Sequence, residues 1–324
     1  MAVSGNGRGT GKRGPMVADR RYAAPKARAA APPPPPRKKR LARPPRRGNF
    51  IVNFFVGLIS GIWRAVWGIF WRLGLIGAMI FAGIVFYFYA QLPPVDALLD
   101  ARARGSVTLL DRNDKVFAWR GETFGGQITS DTVSPYLRNA VVATEDKRFY
   151  HHFGISPRGI ASAIRINMAE GRGPLEGNGG STITQQVAKL LCLGVPYNPT
   201  QWKSEGAYED DCRSGGIWRK LKEIPYSVAM EVKYSKAEIL TIYFNRAYLG
   251  AGARGFEAAA QRYFGISANQ VTPAQAAMLA GLLKAPSKYA PTNNLQRAQD
   301  RAAVIIGLMR EQGYLTKPEA EALR

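Results

Sequence analysis

The longest uninterrupted apolar stretch of the chain lies between Leu73 and Leu92, where 20 residues contain no charged side chain. A helix of this length covers about 30 Å, which matches the hydrocarbon core of a bilayer. The stretch begins too far from the N-terminus, and is too long, for a typical cleaved signal peptide. The pattern therefore predicts a single transmembrane helix, to which we assign residues 72–94.

A second apolar stretch precedes the first and covers Phe50–Trp63, 14 residues that end at the charged Arg64. This length is too short to span a bilayer comfortably. Tryptophans cluster here, with Trp67 and Trp71 following Trp63, and such rings favour the boundary between membrane and water. Residues 50–71 are therefore predicted to form an interfacial or juxtamembrane helix.

Beyond residue 95 the apolar residues follow helical spacing, and helix-start signals recur along the chain. A serine or threonine either precedes a proline or is followed three residues later by an acid or amide, as N-caps and capping boxes require. These signals are Ser134–Pro135, Ser156–Pro157, Ser235 with Glu238, and Thr272 with Gln275. The spacing of Ile239, Leu240, Tyr243 and Phe244 predicts one buried helical stripe.

Two features depart from this helical pattern. Residues 105–118 alternate loosely around a turn-like segment at 111–114, which predicts a short hairpin. Pro225 falls inside an otherwise helical pattern and is expected to kink or interrupt it. Because no run of strands is able to build a large sheet, residues 95–324 are predicted to form one mainly α domain.

The composition adds a basic N-terminal tail to this picture. The chain has 324 residues and a formal net charge of +22. Residues 1–49 hold fourteen Lys and Arg, one acid and nine prolines, which predicts a disordered segment. Clustered bases are typical of nucleic-acid binding, but beside a transmembrane helix they indicate the cytoplasmic side. We therefore expect no nucleic-acid partner, a cytoplasmic tail, and an exported domain at residues 95–324.

Two segments of that domain concentrate chemistry-bearing residues. Glu145 and Asp146 are adjacent acids before two histidines and three aromatic residues. A helix that opens on Ser181 after two glycines leaves backbone N–H groups suited to an anion. Taken alone, the first segment is more typical of an amphipathic helix end with solvated charges, and the second of a well-capped helix. The order of the segments therefore decides their interpretation.

In order and spacing, these segments resemble the five signature blocks of the peptidoglycan glycosyltransferases, glycosyltransferase family 51. The family occurs as monofunctional enzymes and as the N-terminal domain of class A penicillin-binding proteins. The blocks are ED-x-x-F-x-x-H-x-G at residues 145–154, G-x-STITQQ with a trailing Lys at 179–189, RK-x-x-E at 219–223, EIL-x-x-Y-x-N at 238–245, and a fifth at 254–264. The resemblance covers about residues 100–324.

The resemblance implies a lysozyme-like, mainly α fold. It also implies a location at the bacterial cytoplasmic (inner) membrane, with lipid II as the acceptor substrate and a lipid-linked glycan as the donor. Glu145 is similar to the family's general base, which deprotonates the acceptor hydroxyl for an inverting attack. Glu223 is similar to a second acid that helps hold the departing diphosphate, with Mg or Mn as a candidate metal there and no organic cofactor. Proteins of the cell-wall synthesis machinery are candidate partners. The other implied substrate-binding residues are Asp146, Phe149, His152, Ser181, Thr182, Gln185, Gln186, Lys189, Arg219, Lys220 and Asn245.

The neighbours of the two acids predict different environments. Phe149 and Phe153 follow Glu145 closely and are expected to desolvate it, which would raise the pKa of its carboxyl group. The neighbours of Glu223 in sequence are basic, which favours its ionised form. We expect the two carboxylates to face one cleft.

The chain also departs from the family pattern. Thr241 stands where the fourth block usually carries an acid, and Phe244 stands for a leucine. The segment 195–216 is longer than the usual linker, and an arginine normally present before the third block falls on Gly215. Arg213 is the nearest alternative, and its role stays open. Cys192 and Cys212 flank this insertion and are predicted to form a disulfide, the alternative being two unrelated buried thiols.

Two other functions remain open at this point. An enzyme that cleaves peptidoglycan on the same lysozyme-like fold needs a glycan groove but no basic diphosphate site. An inactive membrane scaffold would use the tail to recruit partners and has no need of both acids. The chain shows no Ser-x-x-Lys and no Lys-Thr-Gly motif, so acyl-transfer chemistry is not indicated. The sequence leaves open whether the chain is monofunctional or a shortened bifunctional protein.

Overall fold

The computed structural model describes residues 49–99, 107–113, 116–120, 123–124, 126–174, 179–214 and 216–323. The basic tail that the sequence predicts at residues 1–49 lies outside these ranges except for its last residue. The chain divides into two units, one ending at Trp63 and the other beginning at Arg64. The elements that carry the candidate site all belong to the second unit.

The helix α1 extends from Phe50 to Gln91 and contains 42 residues. By length and composition it is a candidate membrane span, and about half of it is enough to cross a hydrocarbon core. The helix is continuous across residues 71 and 72, so no break separates the predicted interfacial segment at 50–71 from the predicted membrane span at 72–94, and the two roles stay predictions. The helix ends before Pro93, which restricts the conformation of Leu92, and the Leu92 side chain is buried in the core.

The described residues after α1 are mainly helical, which confirms the predicted mainly α class. The helices of the first half are α2 (Val95–Leu99), α3 (Pro135–Glu145), α4 (Pro157–Ala169), α5 (Ile183–Leu190), α6 (Glu205–Arg213) and α7 (Gly216–Lys233). Those of the second half are α8 (Lys236–Arg246), α9 (Phe256–Phe264), α10 (Pro273–Leu282), α11 (Pro286–Tyr289), α12 (Leu295–Glu311) and α13 (Lys317–Ala322). Single 3₁₀ turns lie at Phe149–His151 and Cys192–Gly194.

The strands within the described ranges are short. The strands β1 (Val107–Leu110) and β2 (Val116–Arg120) pair antiparallel, with Val107 opposite Arg120, which confirms the predicted hairpin. The strands β3 (Thr123–Phe124) and β4 (Ala253–Arg254) pair in parallel over two residues each. These two-stranded pairs cannot form a layer of their own, so helices supply the core.

The helix starts follow the sequence signals. Ser134 and Ser156 are N-caps with proline at the first helical position. Ser235 and Thr272 form capping boxes with the residues three positions later, as predicted. Pro225 lies within α7, which continues from Gly216 to Lys233, so the proline does not end the helix.

The core holds the helices that carry the candidate site. The helix α10 packs on α3 and α12, while α5 packs on α7 and α8. The predicted stripe on α8 is buried, and Tyr243 and Phe244 are among its largest side chains. Because α3 and α5 both pack into this core, their ends are held in fixed positions relative to each other.

Candidate active site

Glu145 is the last residue of α3 and lies beside two polar side chains of other helices. The Gln186 Nε2 atom of α5 donates a hydrogen bond to Glu145 Oε2 over 2.9 Å. The Tyr243 hydroxyl of α8 donates in turn to Gln186 Oε1, also over 2.9 Å. This chain of bonds fixes the rotamer of Gln186 and directs its amide N–H groups at the carboxylate.

Burial raises the pKa of the Glu145 carboxyl above its ordinary value. The hydrogen bond from Gln186 and the charge of Arg301 oppose this effect, and the Asp146 charge adds to it. Phe153 does not contribute as expected, because 54% of that residue is exposed. A carboxylate with a raised pKa accepts protons more readily than an ordinary glutamate.

The His152 and Phe149 side chains of the first block are buried in the fold, whereas Asp146 also lines a cavity beside Glu145. The Asp146 Oδ2 atom accepts a bond from His152 Nε2 over 2.8 Å and another from the Ile183 backbone N–H over 3.1 Å. Phe149 is 0% exposed and lies under the Lys236 ammonium. The expectation that these three residues bind substrate is corrected for Phe149 and His152, whose side chains are buried.

The helix α5 starts one residue later than the sequence suggested. Thr182, not Ser181, is its N-cap, and Thr182 forms a capping box with Gln185. The Thr182 hydroxyl also donates to the Gly154 carbonyl over 2.6 Å, which joins the first two blocks. Thr182 and Gln185 are both buried and hold the start of α5, and each also lines one of the two cavities beside this helix.

Several cations line one cavity of about 480 Å³, which we call the cationic cavity. Lys189 enters it from the last turn of α5, Arg213 from the end of α6, and Lys220 from α7. Glu223 is the one acid among its described lining residues, so the lining has a formal excess of two positive charges. Ser181 also lines the cavity, and its Oγ accepts a bond from Lys220 Nζ over 2.8 Å.

The Lys189 ammonium is destabilised by its surroundings. Burial lowers the pKa of Lys189, and the nearby charges of Arg219 and Arg213 lower it further, while Glu223 opposes them. Cations held this close to one another repel, and an anion between them relieves the repulsion. The cavity is therefore suited to an anionic group such as a phosphate.

Glu223 is 1% exposed and is paired with two cations of its own helix. Arg219 contacts its Oε1, and Lys220 Nζ lies 3.0 Å from its Oε2. Lys222, the residue before Glu223 in sequence, lines a different cavity. Both oxygens of Glu223 thus face cations that are part of the protein.

A divalent metal does not fit these residues. The two oxygens of Glu223 already lie against Arg219 and Lys220. Within the described ranges, no group of three or more His, Cys, Asp or Glu residues is placed to hold a metal ion. Mg²⁺ and Mn²⁺ prefer several oxygen ligands, whereas the groups around Glu223 are the cations of Arg219 and Lys220.

Glu145 and Glu223 line two adjoining cavities. Glu145 lines a cavity of about 440 Å³, together with Asp146 and residues of α4 and α12. Glu223 lines the cationic cavity, and the two cavities meet at Ser181. Because the two cavities adjoin, the expectation that both acids face one cleft stays a prediction.

Asn245 is placed away from both cavities. Its Nδ2 atom donates to the Ile128 and Thr241 carbonyl oxygens, and its Oδ1 accepts from the Ile128 N–H. The neighbouring Thr241 hydroxyl accepts from the Ser130 N–H over 3.0 Å. Asn245 therefore fastens the segment before α3 onto α8, which corrects its expected role in binding substrate.

Arg219 likewise does not line either cavity among the described contacts. It borders a third cavity of about 960 Å³, which we call the apolar cavity. Ile84 and Phe88 of α1 form part of its wall, and Trp218 and Leu221 of α7 form another part. Its guanidinium is paired with Glu223, and its charge lowers the pKa of Lys189, so the expected contact of Arg219 with the anionic group stays a prediction.

Sequence reasoning left two residues of the site without a role. Tyr243 was noted only as part of a buried stripe, although its hydroxyl orients Gln186. The role of Arg213 was left open. Its position directly after Cys212, at the end of a capped helix, was the sequence signal that could have placed it near the end of α5. The two cysteines form the predicted disulfide, with their Cα atoms 5.3 Å apart.

Comparisons with known proteins identify relatives of the chain. A family model described as Transglycosylase matches residues 115–310. Penicillin-binding protein 1A of Escherichia coli (strain K12) is 34% identical over 250 residues, which make up 77% of this chain and 27% of that protein. Penicillin-binding protein 1A of Neisseria flavescens is 38% identical over 244 residues, 75% of this chain and 28% of that protein. This chain therefore spans less than a third of the length of these curated relatives.

A solved structure was also found. The crystal structure of Penicillin-binding protein 1A from Haemophilus influenzae aligns with a TM-score of 0.37 and 22% identity, over 68% of this chain and 20% of that one. An overlap this low carries no argument about the fold.

Proposed function

Because this chain belongs to the Transglycosylase family, we propose that it is a peptidoglycan glycosyltransferase that polymerises lipid II into β-1,4 glycan strands. One observation carries the proposal. A carboxyl group with a raised pKa, Glu145, lies in a cavity that adjoins a cationic cavity at Ser181. A base and an anion site side by side are what a hydroxyl nucleophile and a diphosphate leaving group require.

Glu145 is the general base of this proposal. The 4-hydroxyl of lipid II gives its proton to the Glu145 carboxylate while its oxygen bonds to the anomeric carbon of the donor. The bond from that carbon to the diphosphate breaks at the same time, so the configuration inverts. Gln186 holds the carboxylate in place through its 2.9 Å bond, because a base must be positioned before it is effective.

The departing diphosphate is stabilised by the cationic cavity. Lys189 and Lys220 supply charge-assisted hydrogen bonds to its oxygens, and Ser181 lies where the two cavities meet. Glu223 positions Lys220 and Arg219 through its ion pairs. No step of this proposal is routed through a metal ion.

Lipid II carries a hydrocarbon chain, which favours a location of this protein at the membrane. The apolar cavity lies between α1 and α7 and offers a large surface to a hydrocarbon chain. We propose that α1 crosses the bacterial cytoplasmic membrane, with the basic tail in the cytoplasm and residues 95–324 in the periplasm. The excess of bases at residues 1–49 supports this orientation. Protease added to spheroplasts should cut the domain and spare the tail, and a protected domain would contradict the orientation.

The alternatives explain fewer of these features. An enzyme that cleaves glycan by hydrolysis has no diphosphate to stabilise, so three cations around one cavity would be costly without purpose. An inactive scaffold has no need of an acid held by a relay of two hydrogen bonds. Cell-wall synthesis proteins remain candidate partners, but no described surface singles one out.

Incubation of the full chain in detergent with lipid II, and separately with finished glycan, tests the proposal. We expect polymer from lipid II and no soluble fragments from the finished glycan. Fragments from finished glycan without polymer from lipid II would favour the cleaving enzyme. If neither substrate changes, the glycosyltransferase proposal fails.

A further inference from the structure

The helix α6 belongs to the insertion and is fastened to the rest of the domain at several points. The disulfide joins Cys212 of α6 to Cys192 at the end of α5, with their Cα atoms 5.3 Å apart. The Tyr208 hydroxyl donates a hydrogen bond to the carbonyl of Val195, the first residue of the insertion, next to the turn that holds Cys192. The Glu209 carboxylate accepts a bond from the Arg254 guanidinium over 2.6 Å. Three different kinds of interaction therefore set the position of a nine-residue helix.

The fastened end of α6 delivers one side chain to the cationic cavity. Arg213 is the last residue of α6, directly follows Cys212, and lines the cavity with Lys189 and Lys220. Its charge also contributes to the lowered pKa of Lys189. Arg213 reaches the cavity from the insertion, whereas the two lysines come from α5 and α7.

The charges around Arg213 leave it able to bind an anion. Its Nη2 atom lies 2.8 Å from Glu209 Oε2, and the same oxygen lies 2.6 Å from Arg254 Nη2. A guanidinium has five N–H donors in a planar fork, so pairing at one nitrogen is compatible with binding a phosphate through others.

We propose that α6 is a positioning element, held by the Cys192–Cys212 bond, that presents Arg213 to the diphosphate of the lipid-linked substrate. This inference rests on the proposed function for the identity of the anion. It assigns to the insertion a task that the signature blocks do not carry. It also makes diphosphate affinity depend on a disulfide at the edge of the cavity.

The test measures binding of a polyprenyl diphosphate to the full chain in detergent, by calorimetry. We expect Arg213→Ala to raise the Kd by about ten-fold or more, because it removes a charge-assisted hydrogen bond to the diphosphate. Lys203→Ala removes a cation from the same insertion, away from the cavity lining, and should change the Kd less than two-fold. Inorganic pyrophosphate and a polyprenyl alcohol serve as further probes, which separate the anionic group from the lipid.

The disulfide is tested in two backgrounds. Replacing both Cys192 and Cys212 by alanine should raise the Kd several-fold in the otherwise unchanged chain, and should add little in the Arg213→Ala chain. Tyr208→Phe removes a second fastening and keeps the disulfide, so it repeats the test if the cysteine variant does not fold. An equal loss in both backgrounds would mean that the bond acts on stability alone, and would overturn the inference.

The remaining outcomes separate this inference from the proposed function. Unchanged diphosphate binding by Arg213→Ala, in a chain that polymerises lipid II, overturns the inference alone. Arg213-dependent diphosphate binding without polymerisation overturns the proposed function and leaves the anion site in place. A chain that binds no polyprenyl diphosphate overturns the inference.

Discussion

Replacing Glu145 by glutamine is the most direct test of the proposed chemistry. The amide has nearly the same shape, and its oxygen can accept the bond that Gln186 Nε2 now donates over 2.9 Å. The substitution removes the ability to take a proton and leaves the packing at the end of α3 unchanged. The variant therefore separates the base from the rest of the site.

The expected loss follows from the role of a positioned base. General base catalysis contributes about 10²- to 10⁴-fold to rate, which corresponds to about 3 to 5 kcal/mol of activation free energy. Stability should not fall, because an acid whose pKa is raised by folding lowers stability at pH values above its ordinary pKa. At neutral pH the neutral amide avoids that cost, so the Tm of Glu145→Gln should be at least that of the unchanged chain.

The assay follows the initial rate of glycan formation from labelled lipid II in detergent, with lipid II binding measured separately. Glu238→Gln is the matched control, because Glu238 lies in a capping box that glutamine also forms. We expect the control to keep its rate and Glu145→Gln to keep its affinity for lipid II. More than a tenth of the original rate in Glu145→Gln would refute Glu145 as the base.

Three further predictions concern the surroundings of the base. Because the base must be ionised, kcat/KM should rise with pH through the raised pKa of Glu145. Gln186→Leu removes a hydrogen bond that lowers this pKa, so the acid limb of the pH profile should move to higher pH. An unmoved limb would argue against the bond between Gln186 and Glu145. Glu223→Gln breaks two ion pairs and should raise the KM for lipid II several-fold, equally with and without EDTA; a loss that depends on EDTA would instead indicate a metal at Glu223. Thr182→Ala removes an N-cap and the bond to the Gly154 carbonyl, and should lower the free energy of unfolding by about 2 to 4 kcal/mol in denaturant titrations, whereas Thr182→Ser should recover most of it.

Local chemistry made much of the helical framework predictable from sequence. The caps at Ser156 and Ser235 and the stripe that includes Tyr243 depend on residues within one or two turns, so their spacing is visible along the chain. The hairpin of β1 and β2 is local in the same sense. The end of α1 was misplaced because a long apolar run gives no sign of which leucine packs into the domain, as Leu92 does.

The roles of polar residues within the motifs were less predictable. A motif shows that His152 and Asn245 have partners, but not whether the partner is a substrate or the protein's own backbone and carboxylates. In the structure His152 bonds to Asp146 and Asn245 bonds to Ile128, residues 6 and 117 positions away in sequence. Arg213 was missed for a related reason, because its place in the cavity depends on how the insertion folds back onto the end of α5.

The two consecutive acids at the end of α3 have different roles. Glu145 is the proposed base, and Asp146 holds the end of α3 against the helix that carries Lys189. Asp146 accepts the N–H of Ile183, the first residue of α5, over 3.1 Å. This bond ties the end of α3, which carries Glu145, to the start of the helix whose last turn carries Lys189. The carboxylate at a helix N-terminus also lies where the helix dipole favours negative charge. In the proposed mechanism Asp146 takes no part in the proton transfer, but its bond to α5 sets the separation between the base Glu145 and the Lys189 ammonium that would stabilise the leaving diphosphate.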